Sequence, residues 1–178
     1  NQTNHGYFRF VDMETEEATP AFGVDYSFGS AYVEDGTAFV YGVHGKGGGN
    51  RLDMFWSKDL KSWESKKVFE FPENWSLYNS SVCKGKEGYV MALEIGSPKE
   101  VCGARFTFVF ARSANLMDWE MMPVEDHIYT KERYSACPTI RFVDGQYYIV
   151  YLEGIPGHRW VPYIIRIENF VDFEMGLK

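Results

Sequence analysis

Two glutamates close two strand-like runs of the chain and carry the most useful chemistry in the sequence. Glu94 ends a run Ala-Leu-Glu, and Glu153 ends a run Tyr-Leu-Glu. A pair of carboxyl groups can give a proton to a leaving oxygen and activate water, provided that burial or mutual repulsion raises the pKa of one of them. Treating the two positions as equivalent in neighbouring structural units, we predict Glu94 and Glu153 as a catalytic pair, with Asp25 or Asp53 as a third acidic group.

Several other side chains have the chemistry needed to hold a polar ligand beside such a pair. His44 aligns with the two glutamates in an earlier run. The guanidinium groups of Arg51, Arg105 and Arg133 can each donate two parallel hydrogen bonds to hydroxyl or carboxylate oxygens. Trp160 offers an apolar platform for a ring. We predict these five residues as ligand-binding candidates.

The elements that must position these residues are indicated by a repeated heptapeptide that ends in a bulky ring. The copies span 57–63, 113–119 and 167–173, so they start 56 and 54 residues apart. Such a period lies near the range in which one unit is a small antiparallel sheet of a propeller. The rings Trp63, Trp119 and Phe173 are predicted to be core residues of successive units.

A hairpin signal precedes each heptapeptide and keeps the same rhythm. The turns are Glu34-Asp35-Gly36, Lys86-Glu87-Gly88 and Asp144-Gly145, each followed by a run rich in aromatic and β-branched residues. Glycine reaches positive φ without a Cβ clash, so an acidic residue near glycine between such runs predicts a tight β-hairpin.

These landmarks predict an all-β fold with about three four-stranded blades of a β-propeller, in an incomplete ring. The whole chain, 1–178, is interpreted as a single partial propeller domain, with blades at about 25–71, 77–124 and 134–175. Residues 1–24 are interpreted as the end of a preceding blade. Five units of this period need about 275 residues, whereas the chain has 178. We therefore expect another chain or a missing segment to complete the ring.

Composition excludes some classes of partner. The formal charge is −7 with scattered basic residues, which argues against a nucleic-acid surface, and no apolar run is long enough to predict a membrane span. The three cysteines have no close metal-ligand spacing, so we predict no metal site and no required cofactor. The scattered carboxylates are nevertheless compatible with a calcium ion.

The phased hairpins and heptapeptides, together with the segment 135–148 (Ser-Ala-Cys-Pro-Thr-Ile-Arg-Phe-Val-Asp-Gly-Gln-Tyr-Tyr), resemble the five-bladed β-propeller glycosidases. The families are glycoside hydrolase families 43, 32 and 117, and the resemblance covers about residues 25–175. It implies hydrolysis of an oligosaccharide by carboxylate acid–base chemistry in a central pocket. It also implies that the ends of the second strand of each blade lie around that pocket, and a family 117 likeness would allow His44 or His127 as the acid.

The chain departs from the usual catalytic pattern of that group. In the family 43 pattern a Glu stands two residues before a Pro where this chain has Ala136, and Asn79 occupies the best match to an Asp. Phe28-Gly29 stands where an Asp-Pro pair is expected in the first blade. Two functions therefore remain open: a glycosidase that uses other carboxylates, and a non-catalytic carbohydrate-binding or structural propeller. In the second case Glu94 and Glu153 would form repeated ion pairs with Arg105 and Arg166.

Overall fold

The computed structural model describes residues 6–157 and 159–167, with the side chains of residues 125 and 126 left out. Within this part the chain forms eleven strands and two single-turn helices. Their bounds are β1 Tyr26–Glu34, β2 Thr37–His44, β3 Arg51–Ser57, β4 Glu64–Glu70, β5 Ser76–Gly85, β6 Gly88–Ser97, α1 Lys99–Cys102, β7 Thr107–Ser113, β8 Trp119–Met121, α2 Val124–His127, β9 Tyr134–Val143, β10 Gln146–Gly154 and β11 Trp160–Ile167.

The strands described form three antiparallel sheets, each built as a meander in chain order. The first is β1-β2-β3-β4, the second is β5-β6-β7-β8, and the third is β9-β10-β11. The predicted all-β architecture is confirmed, and so is the division into three successive sheets. The last strand predicted for the third sheet, together with Phe173, lies outside the described residues.

The three predicted hairpins are confirmed, and the first and third have the turn geometry that their Asp-Gly pairs favour. Glu34 pairs with Thr37 and Val143 pairs with Gln146, so each loop has two residues. The loop residues have positive φ angles of 48° and 70° in the first hairpin and 50° and 78° in the third. Two successive positive φ angles match the right-handed twist of the flanking strands, which explains the Asp-Gly pairs.

The sheets pack face to face around two cores. Tyr41 and Met54 from the first sheet meet Met91 and Leu93 from the second in one apolar cluster. A second cluster joins the second sheet to the third, where rings from β7 and β10 pack together. Trp119 of the heptapeptide packs edge-on against Tyr41 at 5.6 Å, in agreement with the predicted core role.

Residues 6–25 cover the face of the first sheet that points away from the second sheet. Phe8 enters a socket formed by Gly23, Gly29 and Gly42, where an added Cβ would lie 2.6–2.8 Å from its ring. Phe22 stacks on Trp63 with ring centroids 3.8 Å apart. Two isolated antiparallel bridges fold the segment back on itself. Its assignment to a preceding blade stays a prediction.

Each sheet has an irregularity near the start of its first strand. The register shifts between Ser27 and Ser30 in β1, between Leu77 and Ser80 in β5, and opposite Val150 to Leu152 in β9. A β-bulge re-aims the side chains of the bulged strand. The three irregularities lie at the same end of their sheets, near the start of the first strand of each.

Candidate functional site

The two glutamates are not equivalent, and the sequence-based alignment of them was wrong by one residue. His44 and Glu153 lie seven positions after Thr37 and Gln146, the first residues of β2 and β10. Glu94 lies only six positions after Gly88, the first residue of β6. Because side chains alternate between the two faces of a strand, Glu94 and Glu153 project from opposite faces of their sheets.

This difference points both glutamates into the same space. Glu94 shares its strand face with Ala92, and Glu153 shares its strand face with Tyr151. Ala92 and Tyr151 belong to the core cluster between the second and third sheets. Both carboxyl groups therefore lie in the wedge between these two sheets, with residue exposures of 2% and 8%.

Glu94 is held by two N–H donors. The side-chain amide of Asn79 donates to Oε2 at 2.8 Å, and the backbone N–H of Cys137 donates to the same oxygen at 2.7 Å. Among the described residues no group donates to Oε1. Burial raises the pKa of the Glu94 carboxyl, and the two hydrogen bonds lower it by a smaller amount. The predicted ion pair with Arg105 is absent from the contacts of Glu94 in the described chain.

Glu153 is held by a cation. Arg133 places Nη1 at 3.1 Å from Oε2, and the Tyr151 hydroxyl donates to the same oxygen at 3.4 Å. The side chain of Glu153 is 11% exposed and that of Arg133 is 33% exposed. This partner is Arg133, where the sequence suggested Arg166. Glu153 therefore has a cationic partner, whereas both hydrogen-bond donors of Glu94 are uncharged.

The acidic residues of the first sheet form a separate cluster. Asp53 accepts a hydrogen bond from Arg51 Nε at 2.8 Å and forms a salt bridge with Arg51 Nη2 at 2.7 Å, and it also accepts a hydrogen bond from the Tyr26 hydroxyl. Burial and the bond to Asp53 raise the pKa of Tyr26 to about 12. Tyr26 packs edge-on against Phe55 at 5.0 Å, on the sheet face covered by residues 6–25. Asp53 and Arg51 therefore do not join Glu94 and Glu153.

Asp25 and His44 lie next to the Asp53 cluster. Both line a cavity of about 320 Å³ together with Tyr26, Ser27, Gly45 and other residues. His44 is exposed, with its ring 5.0 Å from that of Tyr26. The predicted residues therefore do not all meet at one place. Asp25, His44, Arg51 and Asp53 lie on the first sheet, whereas Glu94 and Glu153 lie in the wedge between the second and third sheets.

A continuous row of rings crosses all three sheets at the rim, and only its last member was predicted from the sequence as a binding residue. Neighbouring ring centroids are 5.2, 4.8, 4.9 and 4.7 Å apart along the row. All five side chains are partly accessible, and that of Trp160 is the most exposed at 46%. We name this row the aromatic arc; its members are Phe28, Tyr78, Phe106, Tyr134 and Trp160.

Glycines and strained backbone make room for the aromatic arc. A Cβ on Gly96 would lie 2.7 Å from the Tyr78 ring and 3.1 Å from the Phe106 ring. Phe28 and Phe106 have φ angles of 54° and 64°, a left-handed conformation that costs about 1–3 kcal/mol for a residue with a side chain. Strain of this kind clusters at binding sites, because the surrounding structure must maintain it.

The aromatic arc runs directly past Glu94. Tyr78 precedes Asn79, the residue that donates to Glu94. Burial raises the pKa of Tyr134, and the nearby charge of Arg105 lowers it by a smaller amount. The site thus combines a buried acid, a row of rings and an exposed guanidinium.

Comparison of the structure with solved structures places this geometry in a known fold. A thermostable family-43 glycoside hydrolase superposes with a TM-score of 0.63 and 14% identity, over 83% of this chain and 50% of that chain. A GH43 endo-arabinanase from Bacillus licheniformis gives 0.55 and 12%, over 81% and 52%. The chain has the fold of the propeller glycoside hydrolases. A GH32 β-fructofuranosidase from Bombyx mori also matches, with a TM-score of 0.57, 15% identity, and 90% and 38% coverage.

The chain spans about half the length of the first of these glycoside hydrolases. No protein-family model and no curated protein sequence matches the chain. The fold resemblance predicted from the hairpins and heptapeptides is confirmed. Within that fold, Asn79 and the segment containing Ala136 lie at the bulged starts of β5 and β9, beside Glu94.

Two further structural findings concern the part of the chain that is described. None of its helices has the length and apolar character needed to cross a bilayer. No group of three or more His, Cys, Asp or Glu side chains in it is arranged to hold a metal ion. The calcium ion that the sequence allowed stays a prediction.

Proposed function

We propose that the chain is a glycoside hydrolase, or a part of one, that cleaves an oligosaccharide at the rim beside the aromatic arc. Glu94 is the proton donor and Glu153 is the charged carboxylate. The observation that carries the proposal is the buried Glu94 carboxyl, bonded through one oxygen only, next to a row of partly accessible rings. The glycoside hydrolase fold supports the same assignment.

The hydrogen bonds of Glu94 favour a definite position for its proton. An N–H group can only donate, so Oε2, which receives two N–H bonds, acts as the acceptor oxygen. In the neutral carboxyl the proton therefore resides on Oε1. Burial stabilises this neutral form, as a general acid requires. Protonation of the oxygen between two sugars by Oε1 is the step we assign to Glu94.

Glu153 supplies the complementary carboxylate. Hydrolysis of a glycosidic bond needs a second carboxyl group that activates water or attacks the sugar carbon. Arg133 stabilises the negative charge of Glu153 through Oε2, and Oε1 has no hydrogen-bond donor among the described residues. The Glu94 carboxyl thus has two uncharged N–H donors and the Glu153 carboxyl has a cationic partner, although both lie in one wedge.

Glutamine variants test both roles. Glu94→Gln and Glu153→Gln are each expected to reduce the release of reducing sugar by about 10²–10⁴-fold, the usual contribution of general acid–base catalysis. Oligosaccharide binding, measured by calorimetry, should persist in both variants. A panel of aryl glycosides and of plant and algal oligosaccharides supplies the substrates. Glu120→Gln, at an exposed glutamate paired with Arg112, is the control and should retain turnover.

The alternative function is carbohydrate binding without catalysis. It is favoured by Asn79 and Ala136, which stand at bulged strand starts where the family 43 pattern has carboxyl groups. The same panel separates the two functions. Binding by the wild-type protein without any sugar release would establish the alternative, whereas unchanged turnover in both glutamine variants would remove the catalytic assignment of Glu94 and Glu153.

A further inference from the structure

The three arginines selected from the sequence have different partners in the structure. Arg51 is bound to Asp53 and Arg133 is bound to Glu153. Arg105 is exposed and has no carboxylate partner in the described part of the chain. Its guanidinium carbon lies 5.2 Å from the centroid of the Phe106 ring, within the range of a cation–π contact. One guanidinium is therefore available beside the aromatic arc.

Backbone hydrogen bonds fix the segment that carries Arg105. The N–H of Ala104 donates to the carbonyl of Lys131 at 2.7 Å, and the N–H of Ser135 donates to the carbonyl of Phe106 at 2.7 Å. These bonds align 104–106 with 131–135 and bring exposed Lys131 next to Arg105. Glu132 directly follows Lys131 in the sequence but forms no salt bridge with Lys131 or Arg105 among the described residues. The result is a small positively charged spot.

This positive spot is unusual for the chain as a whole. The chain carries a formal charge of −7, so its general field repels anions. A planar guanidinium matches the geometry of a carboxylate and can donate two parallel hydrogen bonds to it. Since Glu94 is neutral when it acts as a proton donor, it does not oppose an anion bound nearby.

We propose that Arg105 binds the carboxylate of an acidic sugar while a ring of the same oligosaccharide stacks on the aromatic arc. The ligand class is thus an oligosaccharide that contains uronic acid. This inference rests on the proposed carbohydrate function and specifies its substrate. Arg105 is the residue that determines specificity, and Lys131 adds long-range attraction.

Matched acidic and neutral oligosaccharides test the proposal. The probes are trisaccharides of galacturonate, glucuronate and mannuronate, each with its carboxyl-reduced counterpart, and affinity is measured by calorimetry. Arg105→Gln is expected to weaken binding of the preferred acidic trisaccharide by about ten- to hundredfold, as expected for the loss of a charge-assisted bond. Binding of the reduced trisaccharide should not change. Raising the salt concentration should weaken the acidic complex of the wild-type protein more than that of Arg105→Gln.

Two further variants guard against a trivial result. Arg112→Gln removes an exposed arginine that pairs with Glu120 away from the aromatic arc and should leave all affinities unchanged. Arg105→Lys retains the charge without the planar fork and should recover only part of the acidic affinity.

The outcomes separate this inference from the proposed function. Equal wild-type affinity for acidic and reduced trisaccharides, unchanged in Arg105→Gln, overturns the role of Arg105 and leaves carbohydrate binding intact. Failure of the wild-type protein to bind any oligosaccharide overturns both proposals. A difference that appears only for acidic ligands, and only in the Arg105 variants, supports the inference.

Discussion

The raised pKa and the hydrogen bonds of Glu94 depend on two residues from different strands and on the packing of two sheets. These groups are far apart in the sequence, so they could not be identified together from it. Asn79 comes from β5, the backbone N–H of Cys137 comes from β9, and the packing of the second and third sheets leaves Glu94 only 2% exposed. The thiol of Cys137 is itself 3.5 Å from the Asn79 amide. Replacing the titratable carboxyl of Glu94 should therefore affect folding as well as chemistry.

We expect Glu94→Gln to raise stability at neutral pH. Burial raises the pKa of Glu94 in the folded protein, so between its ordinary value and the raised value the folded state binds a proton that the unfolded state has released. Stability of the wild-type protein therefore falls as pH rises through this window. Glutamine does not titrate and keeps an acceptor oxygen for both N–H donors.

Melting temperatures measured from pH 4 to pH 8 check this expectation. The advantage of Glu94→Gln over the wild-type protein should be absent near the low end and should grow as pH rises. Glu120→Gln, at an exposed site, should show no comparable trend. A constant difference across the pH range would contradict a buried, titrating Glu94.

Both glutamates lie near the ends of the second strands of their sheets, as the sequence predicted, whereas the faces they occupy were not predicted. Their catalytic role stays a prediction. The runs Ala-Leu-Glu and Tyr-Leu-Glu look alike, yet Glu94 is one position closer to its hairpin than Glu153. Because strand faces alternate, this single position reverses the direction of a side chain. The similar runs therefore suggested that the two glutamates occupy equivalent positions in their sheets. Their different distances from the hairpin turns instead place both side chains in the wedge between the second and third sheets.

The aromatic arc is a property of several elements together. Its rings come from the starts of β1, β5, β9 and β11 and from the segment before β7, and the contacts between them depend on bulges and on glycines. Hairpins and core positions follow from local turn chemistry and alternation, so they were predictable. Ring contacts between different sheets depend on how the sheets pack, and only Trp160 stood out from the sequence as a platform.

A methyl group at Gly96 should disturb the aromatic arc without touching the glutamates. The Cβ of Gly96→Ala would lie 2.7 Å from Tyr78 and 3.1 Å from Phe106, so both rings must move. We expect a loss of about 1–3 kcal/mol in the free energy of unfolding. Affinity for oligosaccharides should fall by about three- to tenfold as ring stacking weakens.

Urea denaturation and calorimetry measure these two effects. Gly36→Asn is the matched control, because an added Cβ there meets no atom within 4 Å and asparagine tolerates the φ of 70°. The control should retain both stability and affinity. Full oligosaccharide affinity in Gly96→Ala, despite the two close contacts, would argue against the aromatic arc as the binding platform.

The three sheets differ in how far other parts of the chain cover their two faces. The first sheet is covered by residues 6–25 on one face and by the second sheet on the other, and the second sheet is covered on both faces. On the third sheet Val150 pairs with Ile164, and these two residues are 42% and 66% exposed. An exposed apolar sheet face is a typical contact surface. We propose that a second copy of the chain covers this face.

The 178-residue chain by itself is expected to associate through this face. Sedimentation velocity at increasing concentration should detect the association, and Ile164→Glu should raise its dissociation constant by about ten- to hundredfold, because a buried aliphatic contact is replaced by a charge. Val33→Glu is the control, since Val33 is 63% exposed on the first sheet and lies outside the proposed interface. A chain that stays monomeric at all concentrations, or an association that Val33→Glu weakens as much as Ile164→Glu, would contradict an interface on the third sheet.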